Sequence, residues 1–182
     1  MNDLKLESTG IDKEEEYRFL KSIFDDSWDD MDIKIYQILR NQGRITDTEL
    51  AEELGTSITT ARRRRTKLQD NEYLLVVAQL NLQETDMVYV DVLVEISNNQ
   101  EPKKIDEFIE EAIRNVRIFE VTQYVDNNQL MLRFFEEDLS SINNHINDFL
   151  MNREIVKDYN LLPAARSPKA WNRVLKDLNK EK

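Results

Sequence analysis

The sequence predicts an α+β protein: a winged helix-turn-helix in the N-terminal part, followed by a ferredoxin-like β-α-β-β-α-β domain. Three observations carry this. Residues 46–70 read as a short helix, a turn at Gly55 and an arginine-rich second helix. From Met87 the hydrophobic period changes from that of a helix to two. Beyond it, two amphipathic helical stretches alternate with three more strand-like ones.

Residues 1–11 show no periodicity and are expected to be disordered. Tyr17, Leu20, Ile23 and Phe24 mark one face of a first helix. Asp12, Glu14, Glu15 and Glu16 sit at its N-terminal end, where the helix dipole favours acids. The acidic run at 25–30 ends it and caps a helix over 30–41, with Ile35, Ile38 and Leu39 as the buried stripe and Ile33 and Tyr36 beside it. Gly43 supplies the stop. Thr46 or Asp47 caps a short helix that turns Leu50, Ala51 and Leu54 inward. Gly55 suits the left-handed turn, and Ser57 caps the third helix, with Ile58, Ala61 and Leu68 inward. Arg65 stands where that stripe calls for an apolar residue. Either its stem lies along the core with the head in solvent, or the helix is rotated. Residues 73–80 (Y-L-L-V-V-A-Q-L) read as strand or wing.

Val88, Val90, Val92, Val94 and Ile96 then fill one face of a strand, with Met87, Tyr89, Asp91, Leu93 and Glu95 on the other. Pro102 opens a helix built on Ile105, Phe108, Ile109, Ala112 and Ile113. Residues 116–125 and 129–135 read as strands joined by a turn at 126–128. Leu139, Ile142, Ile146, Phe149 and Leu150 mark the next helix, and a strand over 155–162 stops at Pro163. Ser167 and Pro168 start a last helix with Trp171, Val174, Leu175 and Leu178 on its apolar side. The expected divisions are an acidic extension with one helix (1–27), the winged helix-turn-helix (28–80), an α/β domain (86–163) and a C-terminal amphipathic helix (164–182).

Composition excludes several chemistries. The chain has no cysteine, hence neither a disulfide nor a thiolate zinc site. Its one histidine, His145, rules out an imidazole cluster, so no metal or cofactor is expected. No glycine-rich phosphate loop and no G-x-S-x-G is present. No run approaches the ~20 apolar residues that span a bilayer, so a cytoplasmic protein without membrane contact is expected. The net charge of -11 is unevenly spread. Residues 1–30 carry ten acids and four bases, residues 31–70 six acids and eight bases, and the remainder twenty acids and thirteen bases. The long-range field of such a chain opposes DNA, and only the arginine-rich stretch offsets it locally.

The residues 30–80 carry a family likeness. D-x-D-x-x-I-Y-Q-I-L, N-Q-G-R-I, T-E-L-A-E-E-L-G-T-S and the basic helix ending K-L-Q-D-N-E-Y-L occur in that order. This resembles the DNA-binding half of the Lrp/AsnC (feast/famine) transcriptional regulators. From Met87 to Pro163 the element order is similar to their α/β regulatory (RAM-type) domain. The resemblance implies a non-enzymatic regulator of double-stranded DNA, a homodimer able to build octamers, and an amino-acid effector. The turn at 124–128 departs from the family pattern, since it has no glycine, and this disfavours close backbone approach to such an effector. Two other classes stand beside this reading. A siroheme-decarboxylase-like enzyme has the same architecture but wants several histidines. A protein-binding winged helix would turn its arginines to an acidic partner.

Two sets of site residues follow. With Ile58, Ala61 and Leu68 inward, Thr59, Thr60 and Arg63 point outward and are the expected base-edge contacts in the major groove. Thr56, Ser57, Arg62, Arg64 and Lys67 flank them as phosphate contacts of the recognition helix at 57–69. On the mixed face of the sheet, Tyr89, Asp91, Leu93, Glu95, Met131, Arg133 and Phe135 are the expected dimer interface. His145, between core positions, reads as a packing or surface residue.

Overall fold

The computed structural model describes residues 12–24, 27–78, 80, 85–125, 128–165, 167, 169–170 and 173–174. The chain divides into two compact units with the boundary between Gln79 and Leu80, the second unit ending at Ser167.

The first unit is helical: α1 (Lys13–Phe24), α2 (Asp30–Asn41), α3 (Asp47–Leu54) and α4 (Ile58–Asp70). Each of the last three has its own start signal. Asp29 caps α2 and Thr46 caps α3, both in reciprocal capping boxes, with Asp32 and Glu49 reaching back to the cap backbone. Ser57 caps α4 by accepting the Thr60 N–H at 3.1 Å. Gly55 closes α3 at φ +64°, a conformation that strains any residue with a Cβ. Ile33, Ile35, Leu39, Leu50, Ala51, Ala61 and Leu68 close the core, joined by Leu20 of α1 and by Trp28. Trp28 stacks on Phe24 with ring centres 4.2 Å apart, and the Tyr73 ring stands edge-on to both.

The second unit is a four-stranded antiparallel sheet, β1 (Val88–Ile96), β2 (Ile118–Gln123), β3 (Gln129–Glu136) and β4 (Val156–Pro163), in the order β2-β3-β1-β4. Helices α5 (Pro102–Arg114) and α6 (Leu139–Leu150) lie between the strands in sequence. Val90, Val92, Val94 and Ile96 of β1 and Leu130, Leu132 and Phe134 of β3 turn to one side, where Phe108 and Ala112 of α5 and Ile142, Ile146, Phe149 and Leu150 of α6 cover them. The expected β-α-β-β-α-β order and the period of two are both present.

Several expectations are corrected. Residues 73–78 form no strand; Tyr73, Leu75, Val76 and Val77 run exposed and unpaired among the described residues, because no neighbouring edge meets them. The expected C-terminal helix is not helical where it is described: β5 (Lys169–Ala170) and β6 (Arg173–Val174) pair antiparallel instead. Trp171, Leu175 and Leu178 lie outside the described residues, as do 1–11 and the turn residues 126–127. Ile23, Ile58 and Ile113, expected inward, are 55%, 50% and 66% exposed. Each lies at or near a helix end, where the covering layer has already closed.

Candidate nucleic-acid interface

The five cations of α4 separate into two groups. Arg64 and Arg65 turn back to the body of the first unit. One Arg64 nitrogen, Nη1, donates to Asp32 Oδ1 at 2.9 Å and lies 2.5 Å from Asp29 Oδ2. These are the two carboxylates of the α2 capping box. Each uses its other oxygen on the start of the helix: Asp29 Oδ1 accepts the Met31 and Asp32 N–H groups, and Asp32 Oδ2 accepts the Asp29 N–H. The same pair of acids therefore starts α2 and anchors α4. Asp32 is buried in doing so, with 3% of its side chain exposed. Burial works against the charged form of Asp29, but the Asp32 N–H and the Arg64 guanidinium outweigh it, holding its carboxyl below the usual range.

Arg65 resolves its sequence puzzle in a way neither reading foresaw. Its side chain is largely buried and the head is not free in solvent: Nη1 donates to the Ile45 carbonyl at 2.9 Å and lies 3.4 Å from Asp47 Oδ1. It ties α4 to the start of α3.

The other three cations stay outward. Arg62 is exposed and only loosely held, its Nε 3.8 Å from Asp47 Oδ2. Arg63 and Lys67 are exposed and make no ion pair among the described residues. Thr59 is exposed; Thr56 and Thr60 are half-buried, and the hydroxyls of Ser57 and Thr60 bond each other at 2.9 Å. Arg63, Arg64 and Lys67 line a shallow hollow of about 260 Å³ with Ser27, Asp29 and Asp32. The structure thus brings Thr59, Arg62, Arg63 and Lys67 together on one accessible helix face, and takes Arg64 away to an internal ion pair. Sequence reasoning saw Asp29, within the acidic run at 25–30, as a helix-start residue only, and gave Asp32 no role of its own. Their second task needs the packing of α4 on α2.

On the sheet, the expected face residues sit side by side. Tyr89 pairs with Phe135, Asp91 with Arg133 and Leu93 with Met131 across β1 and β3. All seven candidates are half-buried in the single chain. Arg133 is held by Asp91 through two bonds of 2.7 and 3.0 Å and by Glu120 at 2.6 Å, a partner the sequence did not suggest. Glu95 pairs with Lys157 of β4. His145 Nδ1 lies 2.8 Å from Glu136 Oε1, and that oxygen accepts from Arg117 Nε at 2.6 Å. Among the described residues no acid, histidine or cysteine group could hold a metal ion, and no helix is long and apolar enough to cross a membrane.

The comparisons agree with this geometry. The AsnC-type helix-turn-helix domain family matches residues 29–69, from the α2 cap to the last turn of α4. An HTH-type transcriptional regulator of Pyrococcus horikoshii is 28% identical over 138 residues, covering 76% of this chain and 87% of that one. The AsnC family transcriptional regulator of Agrobacterium tumefaciens superposes with a TM-score of 0.70 at 19% identity, over 79% of this chain and 94% of that one. A transcriptional regulator of Neisseria meningitidis, solved with L-Met, gives 0.69 at 21% identity, over 79% and 93%. Residues 29–69 thus carry an AsnC-type helix-turn-helix domain, and the chain as a whole is similar to HTH-type transcriptional regulators in sequence and to AsnC-family regulators in fold.

Proposed function

We propose that the protein is a sequence-specific regulator that lays α4 in the major groove of double-stranded DNA and acts as a homodimer. The observation that carries this is the division of the α4 cations. Two are used to fix the helix on its supports; of the other three, Arg62 keeps only the 3.8 Å pair with Asp47, and Arg63 and Lys67 are exposed with no ion pair among the described residues. Fixing a reading helix by its own arginines leaves little conformational freedom to lose on binding. Arg63 is proposed to read a guanine edge and Thr59 an adjacent base, with Thr60 beside them limited by its bond to Ser57. Arg62, Lys67, Thr56 and Ser57 are proposed as phosphate contacts. Arg64 is better suited to anchoring than to phosphate.

Tyr89, Leu93, Met131 and Phe135, rimmed by the Asp91–Arg133–Glu120 and Glu95–Lys157 pairs, give the sheet an apolar strip with satisfied charges. Such a surface suits a second copy, and two-fold symmetry would place two α4 helices on half-sites about one helical turn (~34 Å) apart. A small amino acid is the effector class suggested by the L-Met complex of the Neisseria neighbour. At the glycine-free turn of 124–128 it would meet side chains rather than bare backbone. The cytoplasm, where genomic DNA lies, is the proposed location.

The test is a duplex selected from a random-sequence pool, bound by wild type and by Arg63→Ala. Arg63→Ala is expected to weaken binding by about 1–3 kcal/mol and relax preference at one base position per half-site. Equal loss on every sequence would place Arg63 on the backbone instead.

A further inference from the structure

The tip of α4 carries a large apolar side chain that the core does not take. Ile58 is the first residue of the helix and half exposed, while Ala61 and Leu68 are the α4 residues buried in the core. A single exposed isoleucine on a protein surface needs no explanation. Its place does. It stands in the first turn of the helix, next to exposed Thr59 and one turn before Arg62. The neighbouring polar side chains are already engaged: the Ser57 hydroxyl accepts the Thr60 N–H, and the Ser57 and Thr60 hydroxyls bond each other. That leaves Ile58 and Thr59 as the unengaged side chains of the leading edge.

Residues at the N-terminal end of a recognition helix are those that reach base edges. In the major groove every base pair offers hydrogen-bonding atoms, but thymine alone offers a methyl group. An isoleucine can neither donate nor accept, so a donor or acceptor placed against it would be desolvated without a partner. Its complement is the thymine C5-methyl. We propose that Ile58 is a specificity-determining residue that packs on the C5-methyl of one thymine in each half-site. This inference rests on the proposal that α4 reads the major groove.

The probe is a duplex selected by the wild-type protein from a random-sequence pool, in which each thymine is replaced in turn by uracil. That exchange removes the methyl and leaves pairing and hydrogen-bonding atoms unchanged. Wild type is expected to lose roughly fourfold in affinity at one thymine per half-site, the worth of about one buried methyl. Ile58→Ala is expected to bind the thymine duplex more weakly and to show no difference between thymine and uracil at that position. Ile58→Val should keep part of the difference. A flat uracil profile for wild type, or an unchanged uracil effect in Ile58→Ala, overturns this inference while leaving DNA reading by α4 intact. Selection of no duplex at all overturns the DNA-reading proposal and this inference with it.

Discussion

Replacing Arg64 by alanine should damage the fold, whereas replacing its neighbour Arg63 should not. Arg64 Nη1 is shared between Asp32, at 2.9 Å, and Asp29, at 2.5 Å. Asp32 is 3% exposed at its side chain, Asp29 52%. Removing one partner of a buried ion pair typically costs ~3–5 kcal/mol, because the other charge is left without compensation. Here the Arg64 side chain is 24% exposed and the adjacent hollow can admit water, so the cost is discounted to about 2 kcal/mol. Asp29, already half in solvent, adds little. Arg63 is exposed and unpaired, so Arg63→Ala should stay within about 0.5 kcal/mol of wild type. Urea unfolding followed by Trp28 fluorescence reads the right unit, since Trp28 is buried and stacked on Phe24; Trp171→Phe removes the second indole from the signal. With a urea slope of ~1–2 kcal/mol/M for a unit of this size, Arg64→Ala should lower the midpoint by about 1–2 M. Adding Asp32→Asn to Arg64→Ala should recover part of that loss, because it removes the stranded charge and keeps an acceptor for the Asp29 N–H. Equal midpoints for Arg63→Ala and Arg64→Ala would refute the anchoring role.

Two further outcomes are expected. Leu93 lies opposite Met131 in the middle of the apolar strip of the sheet. Leu93→Arg should raise the dimer dissociation constant by roughly 30-fold or more, as for a central interface residue, and light scattering at micromolar concentration should show monomer. A wild-type monomer under the same conditions would remove the proposed dimer. The second concerns acid. Asp29 is held below its ordinary value by the Asp32 N–H and Arg64 against the cost of burial, and Asp138 below its own chiefly by the Ser141 N–H at the start of α6. A folded value below the unfolded one means that the stabilisation is complete above the unfolded pKa, about 3.9. It is lost as pH falls through the folded value. The urea midpoint should therefore fall below about pH 4, and Asp29→Asn should flatten part of that fall for the helical unit. An identical acid limb in the variant would show that Asp29 contributes nothing there.

Periodicity and cap residues made most of the architecture legible. The helix starts at Asp29, Thr46 and Ser57, the Gly55 turn and the alternation from Val88 to Ile96 are local features, and local sequence encodes them. What sequence missed depends on partners distant in the chain. Whether Arg64 is a free cation depends on Asp29 and Asp32, more than thirty residues away, and nothing in the run R-R-R-R distinguishes its members. Arg65 looked misplaced because its acceptor, the Ile45 carbonyl, is a backbone atom with no sequence signature. Glu16 and Arg40, both nearly buried, pair between α1 and α2, yet each reads in sequence as an ordinary surface charge. The strand expected over 73–80 failed for a related reason: Y-L-L-V-V-A-Q-L has strand composition, but a strand needs an edge to join, and none meets residues 73–78 among the described residues. Ile58 completes an inward spacing of three with Ala61, yet its position in the first turn puts it beyond the core.

The central claim is that a few outward cations on α4 let a chain of net charge -11 hold DNA. The most direct measurement is the dependence of duplex affinity on salt, for wild type and Lys67→Ala. If Arg62 and Lys67 of each protomer neutralise one phosphate apiece, a dimer should lose affinity with a log–log slope of roughly -3.6. Lys67→Ala should make that slope shallower by about 1.8. Absence of binding at low salt, or a slope that Lys67→Ala leaves unchanged, would contradict the account.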